Sequence, residues 1–71
     1  MNLVQLISTK GKRQVAARIG EEFRLIKRTR SVLELAHAAI EARTGIAAIV
    51  EIRGLGKTVD IAAAYSEGRL L

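Results

Sequence analysis

Residues 22–42 read EFRLIKRTRSVLELAHAAIEA, and the spacing of their apolar side chains changes at Ser31. Before Ser31, Phe23, Leu25 and Lys27 fall on one side of a period-two pattern, the mark of a strand. After it, Val32, Leu35, Ala36, Ala39 and Ile40 recur at i, i+3, i+4, i+7 and i+8, which predicts one apolar helix face. The switch itself is the capping box SVLE. The Ser31 hydroxyl can accept a first-turn amide while the Glu34 carboxylate reaches back to the amide of residue 31. Arg43 falls in the last turn, where a cation suits the helix dipole, and Gly45 is placed to end the helix in the left-handed region. Helix grammar beside strand grammar predicts an α+β fold.

Upstream, NLVQLIS (2–8) is rich in strand formers, and TKGK turns the chain around Gly11. RQVAARI (13–19) alternates, with Val15, Ala17 and Ile19 on one face and Gln14, Ala16 and Arg18 on the other. Gly20-Glu21 connects tightly into a third strand over 22–28. Three short strands with two tight turns predict an antiparallel meander whose solvated face carries much of the basic charge. Downstream, IAAIVEIR (46–53) predicts a second helix with Ile46, Ile49 and Val50 inward. A third helix is expected over 61–67, with Asp60 as N-cap and Gly68 as its stop.

The 71 residues include no cysteine and one histidine, so neither a disulfide nor a zinc cage of cysteine and histidine is available. At 49% hydrophobic residues and without proline, the chain is expected to be one globular domain with no linker. Apolar runs such as Ile46 to Val50 are too short to span a bilayer. Residues 1–20 are basic and free of acids, as in some transit peptides, but lack a helical apolar stripe. A cytoplasmic location is the default expectation.

The net charge of +5 is unevenly spread. Residues 1–30 hold eight bases against two acids, a balance of +6; residues 31–71 hold four against five, a balance of −1. Arg18, Arg24, Lys27, Arg28 and Arg30 form the candidate docking surface, with the terminal pair Leu70 and Leu71. The basic side chains could track a nucleic-acid backbone. Phe23 and Tyr65 are the only aromatics, however, and Phe23 belongs to the core face, so stacking platforms are lacking. A solvated strand face, or a surface docked on an acidic partner domain, is the preferred reading of these charges.

Other motifs favour structural roles. GLGKT (54–58) ends like a phosphate loop, but G-x-x-x-x-G-K-[ST] needs glycine at position 51, where Glu51 would repel a phosphate. The expected role of this stretch is to turn the chain, with Gly54 ending one helix before Asp60 caps the next. His37 lies on a helix flank without a partner for acid–base work. Glu34, Glu41, Glu51, Asp60 and Glu67 are separated singles rather than a converging set, so no metal site is expected within the chain. An apolar pair at the end is unusual and leads us to expect a longer protein.

MNLVQLI, RQVAARIG, FRLI, SVLELAHAAIEA and TVDIAAAYSEGRLL, in that order, resemble the amino-terminal domain of the fumarylacetoacetate hydrolase superfamily. The nearest branch is that of bacterial enzymes of sugar-acid dehydration, of the 2-keto-3-deoxy-arabonate dehydratase type. The resemblance spans the whole chain, although RLIKRTR and the stretch from His37 to Lys57 depart from many relatives. It implies a catalytic carboxy-terminal domain holding magnesium or another divalent cation on Glu, Glu and Asp beside a keto-acid pocket. None of those motifs occurs in residues 1–71, so no catalytic, cofactor or metal residue is carried over. The expected function is a non-catalytic domain of a hydrolase or lyase that packs on its own catalytic domain and aids a homodimer. The alternative is a small basic nucleic-acid-binding module; a free-standing enzyme ranks behind both.

Overall fold

The computed structural model describes residues 2–71. Along the chain it runs β1 (Leu3–Ile7), β2 (Arg13–Ile19), β3 (Glu22–Ile26), α1 (Val32–Ala42), α2 (Ile46–Arg53), β4 (Leu55–Val59) and α3 (Ile61–Ser66). The strands form a single antiparallel sheet in the order β1-β2-β3-β4. The α+β class stands, with four strands in place of the expected three.

The fourth strand corrects the reading of GLGKT as a turn. Gly54 does end α2, its amide reaching the Val50 carbonyl at 2.9 Å. Its φ of 87° then sends the chain straight into extended backbone, a conformation that costs other residues strain. Leu55 pairs with Ile26, and Val59 with Phe23, so residues 55–59 close the edge of β3. The unpaired backbone of β3 needed partners, and this segment supplies them. At the other end of β3, strand character stops at Ile26 rather than at residue 28, because Arg28 turns the chain with a φ of 55°.

Both faces of the sheet are covered, which corrects the expected solvated face. Val15, Ala17 and Ile26 pack with Leu35, Ala39, Ile49 and Val50 of α1 and α2. On the opposite face, Leu6 and Ala16 pack with Ala64 of α3, supported by Val4, Phe23, Leu25 and Leu70. The expected inward residue Ile19 instead reaches the strand end and is exposed. Arg69 to Leu71 lie along the free edge of β1: the Ile7 amide donates to Arg69 O and the Leu71 amide to Gln5 O, at 2.8 and 2.9 Å.

The first helix starts where the capping box places it. Ser31 Oγ accepts the Glu34 amide at 3.0 Å, and the Val32 amide finds the Gln5 side chain at 2.7 Å. Glu34 reaches the Arg30 amide, one residue earlier than the expected residue 31. The helix end also differs. Arg43, with φ of 53°, is itself the left-handed cap, and Gly45 is the N-cap of α2. Helix turning explains the misplaced Ile40: at 100° per residue it sits about 140° round from Leu35. Leu35 and Ala39 are buried, while Ile40 is 74% exposed.

The expected mutational ordering follows from these positions. Leu35→Ala should cost about 2–5 kcal/mol by opening a cavity between helix and sheet. Ser31→Ala should cost about 1 kcal/mol through the lost cap. Ile40→Ala and His37→Ala should each stay within about 0.5 kcal/mol, as surface changes do. Urea denaturation of the four variants checks the ordering, and a large loss at Ile40 would mean that α1 is rotated.

Candidate functional site

The sheet is electrically polar along its strands. The β2–β3 turn carries Glu21 and Glu22, and Asp60 follows β4 at the same end. At the opposite end, the start of β2, the end of β3 and the start of β4 lie side by side. A groove there is lined by Lys12, Arg13, Lys27, Arg28, Arg30 and Lys57, with no carboxylate among its lining residues. Arg30 also faces Lys12 and Arg13 across a neighbouring hollow at Gly11. Only three members of the sequence-based docking group, Lys27, Arg28 and Arg30, belong to this cluster.

The other four lie elsewhere. Arg18 pairs across the sheet with Phe23 and Arg24 with Ala17, so the two arginines occupy opposite faces. Arg18 folds back on the Gly20 carbonyl at 3.0 Å. Arg24 has a structural task created by a bulge: between the Arg24–Thr58 and Ile26–Leu55 pairs, β4 holds one extra residue. Its Nε and Nη2 donate to the Gly56 carbonyl at 3.1 and 3.0 Å. Leu70 is bridged to Leu6 at the sheet edge, and Leu71 is exposed beside it.

The basic loop 27–30 is held from within by Arg53, which sequence reasoning had treated only as part of a helix. Arg53 Nη1 donates to Arg28 O, Thr29 Oγ1 and Glu34 Oε1 at 2.8, 2.9 and 2.7 Å. Thr29 is the one buried polar residue among those described, and its hydroxyl also donates to Lys27 O at 3.0 Å. With Thr29 fixed inward, Arg28 and Arg30 are turned outward on either side of it. Lys12 and Arg13 were legible in principle, since a meander places the start of β2 beside the end of β3. Lys57 was not, because its strand had been read as a turn.

His37 and its neighbours Ile40 and Glu41 border a shallow surface hollow on α1. Among the described residues, no three His, Asp or Glu side chains gather in a group suited to a metal ion. No helix among the described residues is long and apolar enough to cross a membrane. Compared with known proteins, the chain matches no family model, no curated protein and no solved structure.

One titration follows from the Arg53 cluster. The hydrogen bond from Arg53 lowers the Glu34 pKa, aided by the Arg30 amide and both positive charges and opposed by desolvation. A carboxylate with a lowered folded pKa stabilises the fold fully above its unfolded value, and that contribution fades as pH falls through the folded value. Glu34→Gln should therefore be less stable than the parent chain at pH 7, with the gap closing as pH falls below about 4.5. The gap should also narrow in high salt, since the pair is partly exposed. Thermal melts of both chains between pH 3 and 7 test this, and a gap that widens toward acid would refute it.

Proposed function

We propose that the chain is a non-catalytic amino-terminal domain of a metal-dependent keto-acid lyase or hydrolase of the fumarylacetoacetate hydrolase superfamily. It packs on the catalytic domain of its own protein and aids homodimer formation. The observation that carries this reading is the outer face of α1. Leu33 and Ile40 stand two turns apart on that face, 65% and 74% exposed, while the inner face of the same helix fills the core. A second apolar stripe does nothing for the core of this domain. Covering each of the two side chains with a partner would gain about 1.5–3 kcal/mol.

The resemblance of SVLELAHAAIEA, which contains this stripe, supplies the identity of the partner. On this reading magnesium or another divalent cation would belong to the catalytic domain, held there on its Glu, Glu and Asp residues, and would supply Lewis-acid polarisation of the keto-acid oxygens. The task of residues 1–71 is to bury apolar surface and close part of the active-site surround.

The reading frame beyond Leu71 is expected to reach a Gly-x-Glu-x-Glu metal motif. Leu33→Asp with Ile40→Asp should leave the melting of the 71-residue chain nearly unchanged, since both sites are exposed. The same pair should weaken association with the catalytic domain, measured by calorimetry on separately expressed parts. A frame without such a motif, or association indifferent to both substitutions, overturns the reading.

A further inference from the structure

We propose that the groove at the basic end of the sheet binds the phosphodiester backbone of a nucleic acid, without sequence preference. The inference goes beyond the docking role of α1 and uses none of its residues. Six cations from three chain segments converge on the groove: Lys12 and Arg13 before and in β2, Lys27, Arg28 and Arg30 after β3, and Lys57 in β4. The three strand ends are neighbours, so the cations span two strand spacings, roughly 10 Å. A row of that length suits several successive charges of a polyanion better than one small anion.

The loop that carries half of these charges is prepared for a ligand. Arg53 bonds the Arg28 carbonyl and Thr29 hydroxyl, and the Lys27 amide donates to Gly54 O at 3.0 Å. The charged side chains therefore project from a backbone already fixed, which lowers the ordering cost of binding. Arg28 adopts the left-handed region at φ 55°, where glycine would be unstrained. Unlike the similarly disposed Arg43, it caps no helix. A cation thus occupies a backbone position that does not favour one.

Phosphates fit this surface better than an acidic protein does. Protein interfaces centre on aromatic and apolar contacts, whereas no aromatic lines the groove and its apolar members Leu25 and Ile26 are half-buried and buried. The lack of aromatics also argues against base stacking, so contact is confined to the backbone and should be blind to sequence. The acids Glu21, Glu22 and Asp60 at the far end of the sheet would orient the domain on a polyanion by repulsion.

The test is fluorescence anisotropy of the 71-residue chain with two labelled single-stranded 20-mers of unrelated sequence, between 50 and 200 mM KCl. Both should bind alike, with a slope of log affinity against log salt between about −2 and −4. Arg13→Gln and Arg28→Gly should each weaken both oligonucleotides equally and reduce the slope by about 0.7. Arg28→Gly should keep or raise the melting temperature, which separates lost binding from lost folding. Arg18→Gln, outside the groove, should leave affinity unchanged. Loss of affinity equal to that of Arg13→Gln in this control would mean that net charge alone is at work, and overturns the proposal. So would competition by poly-glutamate at equal charge concentration, which would assign the groove to an acidic protein. None of these outcomes touches Leu33 or Ile40, so the docking role stands or falls separately.

Discussion

Everything in this molecule is arranged around a strand with no free face. Val15, Ala16 and Ala17 are consecutive in β2, point alternately to opposite sides, and are all fully buried. Period-two geometry turns three buried residues in a row into a demand for cover on both sides. Helices α1 and α2 meet it on one face and α3 on the other. Alanine at two of the three positions keeps the layers close. The six-residue α3 is too short to be stable alone, and its place depends on Ala64 packing over Leu6 and Ala16.

Covering both faces decides where charge can go. Side chains in the middle of β2 are enclosed, so the cations of β2 and of the link after β3 lie at strand ends and turns, while Lys57 is exposed within the edge strand β4. Arg53 then organises one of those ends. A single guanidinium nitrogen ties the last turn of α2 to the link after β3 and to the first turn of α1. Without it, the Arg28 carbonyl and the buried Thr29 hydroxyl would each lose a donor. The same contact that closes the helical layer also shapes the loop bearing Arg28 and Arg30.

The surface is consequently divided by chemistry. The outer side of α1 is apolar at Leu33 and Ile40, while the end of the sheet is cationic and lacks exposed apolar groups. These surfaces suit different partners, since apolar burial and counterion release are different sources of binding free energy. Placing both on a scaffold of 71 residues is possible because the core consists largely of alanine and aliphatic side chains that need little depth.

Local chemistry determined what local chemistry can reach. The strands at Leu3–Ile7 and Arg13–Ile19, the cap at Ser31, the helix after it and the Asp60 cap are all written in short-range spacing and hydrogen bonding. Tertiary structure decided the remainder. Leu55–Val59 became a strand because β3 had an open edge, a need invisible within GLGKT. Ile40 faced outward because the packing of Leu35 and Ala39 set the rotation of α1, which a period of 3.6 allows at several neighbouring angles. The six-cation groove required β2, β3 and β4 to be neighbours, so that Lys12, Arg13 and Lys57 joined Lys27, Arg28 and Arg30 across gaps in sequence. Arg18 and Arg24, close to those residues along the chain, were parted from them and from each other. Alternation along a strand, the bulge in β4 and the reach of a guanidinium to a free carbonyl place such charges only once the sheet has formed.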